Sequence, residues 1–164
     1  MRAKVLSAED PRTIAVVFDT GDSVVDGLIA VAREQRLRGS HLTAIGALQE
    51  VTLGCWDYER KEYRRLQIAH RLEVLSLLGN VAQAPDGGPG LHAHIVVGKP
   101  DGRAHGGHLL AARVRPTLEV VLVESPGYLQ RRVDPATGLA LLALCRVRDA
   151  LIRHRPGIAR PHPV

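Results

Sequence analysis

The feature that most constrains the fold is a long stretch of strand-type sequence between residues 41 and 124. Short β-branched and apolar segments alternate there with polar residues and turn signals, which is the pattern of strands joined by tight turns. The predicted strands are 41–48, 50–58, 64–68, 71–79, 91–98, 108–114 and 118–124, with an earlier one at 13–19. A charged turn at 58–63 and a Gly/Pro-rich loop at 84–90 separate some of them. We therefore expect a mostly antiparallel sheet.

One helix is predicted early in the chain, from about residue 23 to about residue 38. Asp22 or Ser23 suits its N-cap, Gly39 suits its end, and apolar residues from Val24 onward recur at helical spacing. Near the end of the chain, 134–138 is typical of a turn and 139–153 of a second helix. The fold class is thus α+β, with a domain at 1–133 (core about 13–125) and an extension at 134–164 that ends in a basic, proline-rich tail.

Composition narrows the class of protein. The chain has 164 residues, which suits one core. It contains no apolar run of membrane-spanning length and no signal-peptide pattern at its start, so we expect a cytoplasmic protein without a membrane partner. Cys55 and Cys145 lie far apart, which favours two buried or partly buried thiols over a disulfide. The net charge of +5 permits binding to a polyanion.

The chemistry in this chain is concentrated in the strand at 91–98. Side chains alternate across a strand, so His92 and His94 share one face, with Cα atoms roughly 6.5–7 Å apart. The other face carries Leu91, Ala93, Ile95 and Val97 for the core. Two imidazoles at this spacing can converge on one metal ion.

A third histidine joins them if the following turn has the right length. If Lys99 pairs with Arg103 across a three-residue loop, His94 lies opposite His108 and the three imidazoles share a face. A four-residue loop would turn His108 away, and a bulge at Gly106 and Gly107 could alter either register. In the three-residue register, His105 faces the opposite way.

Three imidazoles would leave one position open on a tetrahedral ion. Neutral nitrogen donors fit zinc, nickel, cobalt or ferrous iron better than magnesium or calcium. We predict a divalent transition metal, zinc first, at His92, His94 and His108. The candidates for orienting the site are Glu73, Glu119, Gly106 and Gly107. Surface histidines on a polar sheet face are the alternative.

Several segments together resemble the plants-and-prokaryotes-conserved (PPC) domain family, in a prokaryotic stand-alone form, over roughly residues 13–125. They are the runs beginning at Ala44 (AIGALQEVTLG), Glu73 (EVLSLLGNV), Leu91 (LHAH), Asp101 (DGRAHGGHL) and Val114 (VRPTLEV). The resemblance implies an α+β fold, assembly as a homotrimer and a metal site at the HxH and GGH histidines. It also implies DNA binding, by analogy with plant relatives that carry AT-hooks.

The tail departs from the plant pattern. An AT-hook requires Arg-Gly-Arg-Pro, whereas this chain has Arg153-His-Arg-Pro and then Arg160-Pro. Arg153, Arg155 and Arg160 remain candidates for nonspecific phosphate contacts. The hypotheses are therefore a DNA-binding protein with a metal site, or a trimeric metal-dependent enzyme or small-molecule-binding protein with no DNA role. No nucleophile with a paired base is evident, so the sequence leaves catalysis undecided.

Overall fold

The computed structural model describes residues 1–7, 11–125 and 129–143. Its elements in chain order are β1 (Arg2–Ser7), β2 (Thr13–Asp19), α1 (Val24–Glu34), β3 (Gly39–Asp57), β4 (Glu62–Gln83), β5 (Pro89–Gly98), β6 (Ala104–Glu124), β7 (Gln130–Val133) and β8 (Ala140–Ala143). The predicted α+β class with one early helix and a mostly antiparallel sheet is confirmed.

The eight strands form one sheet in the order β1-β2-β6-β3-β4-β7-β8, and β5 bridges β4 and β6. The pairs are antiparallel except for a short parallel contact between β4 and β7. Because β5 joins β4 to β6, and β6 also joins β3, the four strands β3, β4, β5 and β6 make a closed ring. This closure carries the β5–β6 hairpin back against the middle of the sheet.

Long strands replace several of the short ones predicted from sequence. The predicted pairs 41–48 with 50–58, 64–68 with 71–79, and 108–114 with 118–124 each merge into one element, β3, β4 and β6 respectively. Register shifts interrupt the ladders, for example between Leu48 and Glu50 of β3. A bulge shifts the alternation of side chains without ending the strand, so each interrupted pattern resembled two strands.

The helix is shorter than predicted because Arg36, and not Gly39, terminates it. Arg36 has a positive φ of 54°, and the N–H groups of Arg36 and Leu37 donate to the carbonyls of Arg33 and Ala32. These two bonds close the helix in the manner of a Schellman motif. Gly39 instead begins β3.

The chain end also differs from the prediction of a helix over 139–153. Residues 140–143 form β8, which pairs antiparallel with β7, while residues 144–153 of the predicted helix lie outside the described residues. The predicted turn is present: the Thr137 N–H and hydroxyl both donate to the Asp134 carboxylate, and Gly138 has a φ of +76°. That turn reverses the chain onto β7, and strand pairing overrides the local helix propensity.

The core lies between α1 and the inner face of the sheet. Its largest fully buried side chains include Phe18, Leu28, Leu48, Leu72, Leu77, Ile95 and Leu118. Within the described residues no helix is long and apolar enough to cross a membrane. Cys55 is exposed, which corrects the prediction of a buried or partly buried thiol, and Cys145 lies outside the described residues.

Candidate metal centre

The turn between β5 and β6 has the three-residue loop that places the histidines together. The Lys99 N–H donates to the Arg103 carbonyl at 2.8 Å, and the Gly102 N–H donates to the Lys99 carbonyl at 2.9 Å. Inside the loop the Asp101 carboxylate accepts from the Arg103 backbone N–H at 3.0 Å. The resulting register pairs His94 with His108 and Val97 with His105.

Three imidazoles converge on the outer face of this hairpin. His92, His94 and His108 offer ring nitrogens that all lie within 4.8 Å of one another, and the Nε2 atoms of His92 and His94 are 3.2 Å apart. Ring-centroid separations are 5.1 to 5.4 Å. His94 is exposed, while His92 and His108 are half-buried. We call this cluster the histidine triad.

The triad fits a transition metal by its donor chemistry and by its spacing. Four ligands at about 2.0–2.1 Å around a tetrahedral zinc ion lie about 3.4 Å apart, close to the 3.2 Å between the His92 and His94 nitrogens. The cluster contains no carboxylate or thiolate. Neutral imidazoles alone are a poor match for magnesium or calcium, which prefer oxygen.

Burial keeps two of the ligands in the protonation state that a metal needs. The pKa of His108 is lowered to about 4, mainly by desolvation and then by the charges of His92, His94 and Arg131. The pKa of His92 is lowered by the same main cause, with contributions from Arg131 and His94. Because a metal binds the neutral imidazole, both rings are ready to coordinate at neutral pH.

An aromatic side chain that was not singled out from the sequence supports the triad. Tyr63 of β4 stacks on His108, with ring centroids 4.8 Å apart and an interplanar angle of 23°. Trp56 of β3 packs edge-on against Tyr63 at 4.9 Å. Gly54 makes room for this stack, since a Cβ there would lie 2.7 Å from Cδ1 of Tyr63. In a chain with few aromatic residues, the cluster of Trp56, Tyr58 and Tyr63 was the sequence signal that could have pointed to this aromatic support.

The predicted glycines lie beside His108, in the part of β6 that pairs with β5. A Cβ on Gly107 would approach the Gly54 carbonyl oxygen to 3.0 Å, and one on Gly106 would lie 3.3 Å from the Ile95 carbonyl oxygen. Gly107 therefore lets the backbones of β6 and β3 come close immediately before the third histidine. In that respect the structure places both glycines next to the triad.

The predicted carboxylates are not brought to the triad. Glu73 pairs with Gly98 and Ala47, five positions along β4 from the partner of His94, and lines a separate groove of about 950 Å³ whose walls do not include the triad. Glu119 is eleven positions along β6 from His108 and pairs with Val17 and Ile45. His105 faces away, as its register requires, and Arg153, Arg155 and Arg160 lie outside the described residues.

A buried arginine lies close to the triad instead. Arg131 of β7 is 7% exposed and donates through Nη2 to the Asn80 side-chain oxygen at 2.5 Å. Asn80 is the direct partner of His92 in the β4–β5 ladder. Arg131 also donates through Nη1 to the Ala140 carbonyl at 3.0 Å. Nothing in its local sequence, Gln-Arg-Arg-Val, distinguishes it from its exposed neighbour Arg132.

Comparison with known proteins identifies relatives that share this fold. The model of the Plants and Prokaryotes Conserved (PCC) domain matches residues 6–126. The bifunctional protein GlmU of Synechococcus sp. (strain JA-3-3Ab) is 36% identical over 133 residues, which are 79% of this chain. The match is 20% of that protein, so the chain spans about a fifth of the length of the curated relative.

Two solved structures resemble the whole described fold. A metal-containing protein from Archaeoglobus fulgidus is 33% identical, with a TM-score of 0.74 and coverage of 87% of this chain and 96% of its own. A protein from Bacteroides thetaiotaomicron, named a "putative DNA-binding protein", is 25% identical, with a TM-score of 0.77 and coverage of 87% and 97%.

Proposed function

Because the chain belongs to the Plants and Prokaryotes Conserved domain family and brings three imidazoles together on one hairpin, we propose that it binds one divalent transition-metal ion, zinc, at His92, His94 and His108. The observation that carries the proposal is the convergence of the three ring nitrogens within 4.8 Å. The similarity to a metal-containing archaeal protein supports it.

The three histidines would hold the ion and leave one coordination position for a further ligand. When bound, the ion supplies a Lewis acid at that position. The chain's own groups do the rest: Tyr63 fixes the His108 ring by stacking, and burial keeps His92 and His108 neutral. His94 is exposed in the single protomer.

Titration of metal-free protein with zinc and cobalt tests this proposal. Trp56 is the chain's single tryptophan and contacts Tyr63, so its fluorescence will follow binding at His108. Each single substitution, His92→Ala, His94→Ala or His108→Ala, should weaken zinc binding by more than about 100-fold, since loss of an outer partner of a ligand alone costs about 10–100-fold.

The matched control is His41→Ala, which removes an exposed histidine of β3 that is not in the triad. It should leave zinc affinity unchanged. Equal affinity in wild type and in the three triad variants would contradict the proposed site.

We further propose that the protein assembles as a homotrimer through the outer face of its sheet. Exposed apolar side chains lie together on β3, β4, β5 and β6 of that face: Ile45, Leu75, Leu78, Val96 and Val121. Thr43 pairs with both Leu78 and Val121, so these three side chains form one row across β4, β3 and β6. Exposed apolar patches of this kind mark association surfaces.

Sedimentation velocity tests this assembly. Leu78→Lys places a charge in this row and should give monomers, whereas Val133→Lys changes an equally exposed side chain on β7 and should leave the trimer intact. A monomeric wild type would contradict the proposal.

A second function, DNA binding, is supported by two observations. Proteins of this fold include one named for putative DNA binding, and the chain has 22 basic residues against 17 acidic ones. Duplex DNA carries a high charge density, so a basic surface binds it with a strong dependence on salt. This role would be separate from the triad.

Fluorescence anisotropy with a labelled duplex at several salt concentrations tests this role. We expect binding at low salt whose affinity falls steeply as salt rises, with the same slope in the His92→Ala/His94→Ala variant. Absence of DNA binding at low salt would refute this role. A metal-dependent enzyme or a small-molecule-binding protein would then remain as the alternative function.

A further inference from the structure

Arg131 is a buried cation without an anionic partner among the described residues. Its side chain is 7% exposed, yet it forms no ion pair with any carboxylate of the described residues. Two of its nitrogens donate to neutral acceptors, the Asn80 amide oxygen and the Ala140 carbonyl. Its Nε is buried and has no hydrogen-bond partner in the described part of the chain. Buried charges are ordinarily paired.

The position of Arg131 links this cation to the triad. Asn80 and His92 are direct partners in neighbouring strands, so their side chains project from the same face. Arg131 bonds to the Asn80 side chain and therefore lies over that face. Consistent with this placement, its charge lowers the pKa of both His92 and His108.

With a metal bound, this region would carry a marked excess of positive charge. The triad contributes three neutral ligands and no carboxylate, so the two positive charges of the ion and the one of Arg131 remain uncompensated by the described side chains around them. Asp57, near the Tyr63 end of the site, is already engaged by Arg64 and by the N–H groups of Glu59 and Arg60. An anion from solution is the natural complement.

We propose that the triad and Arg131 together form a binding site for a small organic carboxylate. One carboxylate oxygen takes the open position of the metal, and the other accepts a hydrogen bond from Nε of Arg131. A carboxylate matches this arrangement because it has two acceptor oxygens for one metal position and one unused donor. The inference rests on the proposed metal site and adds to it the class of ligand.

Cobalt-loaded protein provides the direct test, because the visible absorption of cobalt(II) changes when its coordination changes. We expect acetate to shift the spectrum of the wild type saturably. Arg131→Met should weaken acetate binding by about tenfold or more, the cost of one charge-assisted hydrogen bond, while cobalt content per chain stays unchanged. Arg132→Met, which removes the exposed neighbouring charge, should match the wild type.

A second variant keeps the proposal testable if Arg131→Met does not fold. Asn80→Asp preserves shape and leaves Arg131 in place, but it supplies the missing carboxylate as an internal ion pair. It should weaken acetate binding to a similar extent, and wild-type acetate affinity in this variant would contradict the role of Arg131.

The outcomes separate this inference from the metal proposal. A wild type that takes up no cobalt overturns both. A loaded wild type that ignores acetate, or loaded Arg131 and Asn80 variants with wild-type acetate affinity, overturns the inference alone.

Two further results would also overturn it. One is calorimetric binding of acetate to the metal-free His92→Ala/His94→Ala variant, which would place the anion in the groove of about 360 Å³ that Arg131 lines beside Gln83 and Pro85. The other is Arg131-dependent binding of inorganic phosphate but not of acetate, which would reject the carboxylate class.

Discussion

Gly54→Ala is the substitution that most sharply tests how the triad is supported. The new Cβ would lie 2.7 Å from Cδ1 of Tyr63 and 2.9 Å from Cδ1 of Leu110. Carbon atoms in ordinary contact are about 3.5–4.0 Å apart, so the Tyr63 ring must move by about 0.8 Å or more. That movement takes the ring away from its stacked position on His108.

The expected cost combines two effects. Forced overpacking costs about 1–3 kcal/mol, and loss of an aromatic stack costs about 0.5–1.5 kcal/mol, so the free energy of unfolding should fall by about 1.5–4.5 kcal/mol. For a chain of this size that corresponds to a fall in Tm of about 3–18 °C. Zinc affinity should also fall, because the His108 ring loses its support.

Thermal unfolding of metal-free protein measures the first effect, and zinc titration measures the second. Gly88→Ala is the matched control, since its Cβ would meet only the Asp86 side chain, at 3.4 Å, and its effect should stay within about 1 kcal/mol. In a Tyr63→Ala background, Gly54→Ala should cost less, because the conflicting ring is gone. Equal stability of Gly54→Ala and Gly88→Ala, with equal zinc affinity, would refute the reasoning.

Two further predictions concern stability. Ile95 lies next to His94 on β5, and its side chain is 1% exposed on the core side of that strand. Ile95→Ala should lower the free energy of unfolding by about 2–5 kcal/mol. Val96→Ala, at a position that is 40% exposed on the opposite face, should cost far less in the same denaturant titration. The pKa of Asp57 is lowered below 3.8, first by the Arg60 backbone N–H and then by Arg64. The stabilising contribution of the Asp57 carboxylate should be complete above its pKa in the unfolded chain and vanish as pH falls through its lower pKa in the folded protein. The Tm advantage of wild type over Asp57→Asn should therefore disappear in that acid range. A Tm advantage that persists at still lower pH would contradict this assignment.

The geometry of the hairpin was within reach of sequence reasoning because it depends on local rules. Alternation along β5 puts His92 and His94 on one face, and the length of the Lys99–Arg103 loop then decides whether His108 joins them. Sequence left both loop lengths open, and the structure has the three-residue form. The orientation of His105 followed from the same register.

The ends of helices and strands were harder to predict from the sequence because they depend on exceptions to local rules. The helix is terminated just after Glu34 and its C-cap by a non-glycine residue, Arg36, in the left-handed region, where glycine is the usual choice. Bulges along β3 shift the side-chain alternation within a single strand. Leu141, at helical spacing with later apolar residues, instead pairs with Arg132 of β7, because a turn at Asp134 returns the chain to the sheet.

The surroundings of the triad could not be read from the sequence because they are nonlocal. Tyr63 reaches His108 across the position of Gly54, and Arg131 reaches the triad through Asn80, which is 51 positions away in the chain. Carboxylates were the expected partners of metal-bound histidines, which drew attention to Glu73 and Glu119. The closed arrangement of β3, β4, β5 and β6 places the Tyr63 ring there instead, and β7 adds Arg131.

The most direct test of the proposed histidine metal site is the metal content of protein purified without a nickel column. Inductively coupled plasma mass spectrometry measures this content. We expect close to one transition-metal ion, mainly zinc, per wild-type chain, and almost none in the His92→Ala/His94→Ala variant that remains folded. A wild type purified without metal, and unable to take up zinc afterwards, would contradict the account.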